Sequence, residues 1–237
     1  MGPTFSEVAM GTRELHRRRL FAGVAMIVAP LAGGTAFLVA PQLVRDDTAG
    51  LLARFAEAPG RLEIALIVGL AAIALFTLVG LGLGHLLRED LPWYGQVGAV
   101  LAVTGMTLFA AVTGAVAAAG EAAQLDVGAA TVTWDAMTSN PVMYVAVGGL
   151  VAAGIGYLVL ATGLAMARTA PLSAAAGLAV GVAVMTVGVL LFSTPWLVVG
   201  FAVMFLGLAP LGYELLAEPD EAWEHPAHFD GMRPVLG

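Results

Sequence analysis

The residues of this chain best suited to chemistry stand at the ends of long apolar runs. Arg61 and Glu63 open one such run, and Glu121 and Asp126 follow the next. If the two runs are antiparallel neighbours, these groups reach one level and could hold a cation or a polar head group. The same residues have a plainer use, which is the preferred one. A carboxylate in a first helical turn is stabilised by the helix dipole, and Arg61 can meet a lipid phosphate. A second set is uncharged. At about 100° per residue Gln96, Thr104 and Thr107 share one arc of a helix and should face protein rather than lipid. Hydrogen bonding between helices is the expected use of these groups, and a small-molecule pocket is the other.

Other chemistries lack their residues. The ten basic residues are all arginine, so no lysine Schiff base can form, and without cysteine there is no disulfide, thiolate nucleophile or thiolate metal site. Haem in a helical bundle needs imidazoles facing each other from two helices. Here His16 precedes the first apolar run, His85 ends the second, and His225 and His228 lie in the tail. An intramembrane serine protease needs a Gly-x-Ser-x-Gly serine, and none of Ser6, Ser139, Ser173 and Ser193 fits. The tail places His225 and His228 among Glu218, Asp220, Glu221, Glu224 and Asp230. Such a set could bind a transition metal loosely, but a solvated tail repelled by an anionic leaflet is the expected reading. No metal and no cofactor is expected, and the chain is not expected to be an enzyme.

The elements that carry these residues follow from composition. Of 237 residues 59% are hydrophobic and 11% charged, with a mean hydropathy of +0.91, far from the roughly 25% charge of soluble domains. The net charge of −7 arises mainly in loops and tail, and nothing suggests a nucleic-acid surface. Six apolar runs reach spanning length: 20–40, 62–87, 94–119, 141–167, 172–192 and 196–216. Backbone groups left unpaired in lipid cost several kcal/mol each, so the runs are expected as helices. The fold expected is an all-α polytopic membrane bundle of six helices, preceded by a basic segment 1–19 and followed by an acidic tail 217–237. No Asp, Glu, Arg or His lies in the middle of any run, which lowers the case for a pump, a proton-coupled transporter or a voltage sensor.

With the N-terminus inside, Arg13, Arg17, Arg18, Arg19, Arg88, Arg168 and Arg233 are cytoplasmic while Arg45, Arg54 and Arg61 are outside. That balance places both termini inside, with the 120–140 loop outside, in a multi-pass protein of the cell inner (plasma) membrane. After the first span, Leu51, Leu52 and Phe55 share one face of a short helix while Arg54 and Glu57 face away. It is expected to lie in the outer interface, either packed over the bundle mouth or with a binding role. Trp93, Tyr94, Tyr144, Trp196 and Tyr213 fall at helix ends, where amphipathic rings anchor in a bilayer. Small residues four apart, as at Gly80 and Gly84, Gly149 and Ala153, or Gly177 and Gly181, allow close helix contact. Pro30 and Pro210 should bend their helices. A shift of about 80 residues sets Gly69-Leu70 on Gly149-Leu150 and Arg88 on Arg168, and a shift of 79 sets Gly98 on Gly177 and Met106-Thr107 on Met185-Thr186. The second and third spans would then repeat as the fourth and fifth.

In its order of features the chain resembles a family of uncharacterised six-helix bacterial integral membrane proteins, a domain of unknown function. The resemblance is carried by Arg17-Arg18-Arg19, Gly60-Arg61-Leu62, His85-Leu86-Leu87-Arg88, and Gly156-Tyr157-Leu158 continuing to Ala170-Pro171. It implies the six-span topology and no activity. Two function classes remain. The preferred one is a non-catalytic structural, regulatory or assembly partner in the membrane, in contact with lipid and with a second copy or another membrane protein. The alternative is a carrier or binder of a small apolar or lipid-like molecule, lined by Thr104, Thr107, Tyr157 and Thr186.

Overall fold

Apolar side chains on every face, with few groups able to hydrogen-bond outside the backbone, leave helix as the one way to satisfy these segments in lipid. The computed structural model describes residues 5–41, 48–191 and 193–217, with side chains described from residue 16 onward. The chain is all-helical there. Its eight helices are α1 (Phe5–Val39), α2 (Thr48–Glu57), α3 (Pro59–Leu86), α4 (Pro92–Leu125), α5 (Val127–Thr138), α6 (Pro141–Ala167), α7 (Leu172–Leu190) and α8 (Thr194–Ala217). Six of them, α1, α3, α4, α6, α7 and α8, are long and apolar enough to cross a membrane. The chain is a multi-pass membrane protein, and its outward surface agrees: Phe21, Leu38, Ile67, Val100 and Leu206 stand exposed. Arg45 and the acidic residues from 218 onward lie outside the described residues.

The spans pack in a ring, α1 on α3, α3 on α4, α4 on α6, α6 on α7 and α7 on α8, with α8 returning to α1. One end of the bundle carries the short turns α3/α4 and α6/α7, and the other carries α2 and α5. Trp93 and Tyr213 are exposed at the turn end, Tyr144 and Trp196 at the α2–α5 end. At the turn end Arg88 and Arg168 follow α3 and α6, and Arg168 adopts a left-handed conformation that ends α6. Arg19, by contrast, is buried.

The closest seams are built on glycine. A Cβ added to Gly156 would lie 2.7 Å from the Gly98 carbonyl oxygen, and one added to Gly207 would lie 2.8 Å from Gly177 Cα. Gly98 and Gly177, 79 positions apart, thus do the same work. Each docks the second helix of a short-turn hairpin onto the next helix, α4 onto α6 and α7 onto α8.

The 120–140 segment departs from the expected loop. α4 runs on to Leu125 through an alanine-rich stretch of high helix propensity, and α5 follows at once. The Asp126 side chain accepts from Gly128 N at 2.8 Å and Ala129 N at 3.3 Å, capping α5. α2 is helical, with Leu52 and Phe55 buried and Arg54 and Glu57 exposed. Its apolar side joins Leu62, Ala119, Ala123 and Ala130 in a small second core over the end of the bundle.

Candidate functional site

The described charged residues at the α2–α5 end do not assemble into a site. Leu62 of α3 packs on Gly120 of α4, so the helices do bring Arg61, Glu63 and Glu121 to one level. The four side chains nevertheless remain exposed, and among the described residues no ion pair joins Arg61, Glu63, Glu121 and Asp126. Arg61 Nε donates to the Val39 carbonyl at 3.1 Å, pinning its guanidinium to the end of α1, where the helix dipole favours a cation. Asp126 is taken up by its cap. Because α3 begins at Pro59, Glu63 lies beyond the first turn, where no acidic residue stands, and the dipole reading of Glu63 is corrected accordingly. Among the described residues no three His, Asp or Glu gather as a metal site.

The polar arc of α4 is also corrected. Gln96, Thr104 and Thr107 are exposed on the outward side of α4 and do not enter the interior. Thr107 Oγ1 donates to the Val103 carbonyl of its own helix at 2.8 Å, so its hydroxyl is satisfied without a neighbouring helix.

Tyr157 and Thr186 lead to a different place. In the half of the bundle nearer α2 and α5, the six spans diverge around a cavity of about 490 Å³, within the size range of small-molecule sites. Its floor is set by Phe76, Met106, Tyr157 and Met204, all buried. The Tyr157 hydroxyl donates to the Phe76 carbonyl at 2.5 Å, and the two rings meet edge to face with centroids 5.9 Å apart. Phe201 lies 5.9 Å from both Phe76 and Phe37, completing an aromatic wall. Phe55 of α2 and Pro41 close the far end.

The chemistry of this space is hydrocarbon. Among the described residues the lining side chains with hydroxyl groups are Thr113, Tyr157 and Thr186. Two of their three hydroxyls are already committed to backbone, Tyr157 to Phe76 and Thr186 to the Val182 carbonyl at 2.9 Å. Among the described residues no charged side chain lines it. Such a lining offers burial and shape to an apolar molecule.

Sequence reasoning found Tyr157 and Thr186 but not Phe76, Met106, Phe201 and Met204. The available signal was depth. Phe76 and Phe201 lie well inside their spans, away from the ends where aromatic residues serve as anchors.

The fold and the cavity together define the class, a six-span helical membrane protein with an apolar internal chamber. No protein-family model, no curated protein and no solved structure matches the chain.

Proposed function

We propose that the chain is a non-catalytic binder or carrier of a small apolar or lipid-like molecule, held in the chamber between the six spans. The supporting observation is the roughly 490 Å³ apolar cavity itself. Tight packing is the rule in protein interiors, and space of this size is kept open by bulky residues at diverging seams. In this reading the protein sits in the cell inner (plasma) membrane with both termini in the cytoplasm, following the arginine balance, and α2 rests in the outer interface.

The test is native mass spectrometry of the protein extracted gently from its own membrane, beside Gly69→Phe. Gly69 borders the cavity, and a Cβ there would meet only Ala36 Cβ at 3.9 Å, so a phenyl ring has space to enter. A reproducible adduct on one wild-type chain that disappears in folded Gly69→Phe supports the reading. Wild-type protein without adduct, and without uptake of an added apolar dye, overturns it.

A second reading, an assembly partner, has its own observation. Gln96, Thr104 and Thr107 sit on an outward face of α4 together with Ala111 and Gly114, all exposed. Small and weakly polar residues of this kind suit close contact with a second copy or another membrane protein. The same spectra test it, since a defined oligomer or bound partner that Thr104→Leu with Thr107→Leu disperses would support it.

A further inference from the structure

We infer that the chamber takes an acyl chain of a bilayer lipid, from the leaflet at the α2–α5 end, admitted sideways through the seam between α6 and α7. The inference rests on the proposed binding function and adds the ligand class and its route. It starts from where the cavity wall reaches the outer surface. Of the described residues lining the cavity, only Val151, Ile155 and Leu158 on α6 and Thr186 and Leu190 on α7 are exposed, Val151 by 61% and Leu190 by 65%. The other described lining residues are buried or half-buried. Among the described residues the wall is therefore open to the outside along one seam.

That seam is loose for a visible reason. α6 and α7 are joined by a short turn at residues 168–171, and of the neighbouring spans in the ring they are the pair that packs least extensively. A Cβ on Gly154 would find Val182 Cγ1 at an ordinary 3.7 Å, whereas the Gly156 face of the same helix meets α4 backbone far more closely. The route from water is covered instead. Leu52 is fully buried and Phe55 nearly so under α2, and Pro41 is buried at the end of α1.

What lies outside an α6/α7 opening in a bilayer is hydrocarbon, and an apolar cavity does not hold water well. The depth agrees with a single leaflet. From Met106 to Val116 the α4 wall rises about 15 Å at about 1.5 Å per residue, half of a roughly 30 Å hydrocarbon core. With the Tyr157 and Thr186 hydroxyls bonded to backbone, Thr113 is the one described lining side chain whose hydroxyl a ligand could meet, and the rest of the described lining suits a methylene chain.

The experiment uses full-length protein in nanodiscs of phosphatidylcholine carrying a photoreactive diazirine midway along one acyl chain, with insertion sites mapped by mass spectrometry. Wild type should be labelled at Met106 and Met204, the buried floor of the chamber. That labelling should be lost in Gly69→Phe, which fills the chamber, and in Ile155→Trp and Thr186→Phe, which narrow the seam at two exposed positions able to accept bulk. Thermal unfolding of each variant confirms that it is folded. Floor labelling lost in Gly69→Phe but kept in both seam variants overturns the α6/α7 route while the binding function stands. A floor labelled by a small apolar diazirine added from water, and never by the lipid, overturns the acyl-chain assignment and again leaves the binding function in place. Labelling by neither probe overturns both.

Discussion

Helix α6 treats its two neighbours differently. Toward α4 it presents Gly149, Ala153 and Gly156, and the two backbones come close enough that no side chain could be added between them. Toward α7 it presents Val151, Gly154, Ile155 and Leu158, and the helices part around a chamber. Both faces are apolar, so hydrophobicity does not separate them. In lipid, where burial of apolar surface drives little helix association, residue size decides which seam closes. Small residues four and three apart make a rigid wall, and branched residues on the adjacent face leave space.

The largest effect expected from breaking this comparison is at the closed seam. Gly156→Leu would force side-chain atoms into the backbone of Ala102 and Gly98, which cannot move aside as a flexible side chain can. A loss of roughly 3 kcal/mol or more is expected, enough to deplete folded protein in a detergent unfolding titration. Gly148→Leu, about two turns away in open space on the same helix, should stay within about 0.5 kcal/mol of wild type. Equal losses at both positions would show that seam geometry does not set the cost.

Smaller effects are expected where one hydrogen bond is removed. Tyr157→Phe deletes the link from α6 to the Phe76 carbonyl on α3 while keeping the ring against Phe76. A cost of about 1 kcal/mol in the same titration follows from membrane interhelical hydrogen bonds, with apolar binding retained. No measurable change would mean that the Tyr157 ring alone holds the chamber floor. Asp126→Ala removes the cap of α5 and should cost about 1 kcal/mol, seen as faster amide exchange confined to α5. Exchange that rises through α4 and α6 as well would mean that α5 is a structural tie for the chamber end.

The sequence made the spans readable because each is a long uncharged run, and α6 lies where it was expected, capped by Asn140 and ended at Arg168. It did not make α5 readable. That helix is short and rich in threonine, and Thr131 and Thr133 donate to carbonyls four residues back in a segment with no apolar run to announce it. The same local bonding misled the reading of α4. A threonine satisfied by its own helix, as Thr107 is by Val103, can face outward at little cost, so polarity alone did not point inward. The chamber was half legible. Tyr157 and Thr186 were found by residue type, but a cavity is the space left where Phe76, Met106, Phe201 and Met204 fail to meet. That depends on how helices distant in sequence cross.

The smallest expected effect concerns the charges at the α2–α5 end. Glu63 and Glu121 are exposed, neither makes an ion pair among the described residues, and Glu63 stands too far along α3 to face the helix dipole at its start. Glu63→Ala and Glu121→Ala should therefore each shift unfolding by no more than about 0.5 kcal/mol and leave the folded yield unchanged. Both faces of α6 would then remain as they are, because neither carboxylate touches them. Loss of folded protein from either change would make this end structural glue and would tie the openness of the chamber to surface charge. A neutral result leaves side-chain size at the seams as the property that divides the rigid half of the bundle from the open one.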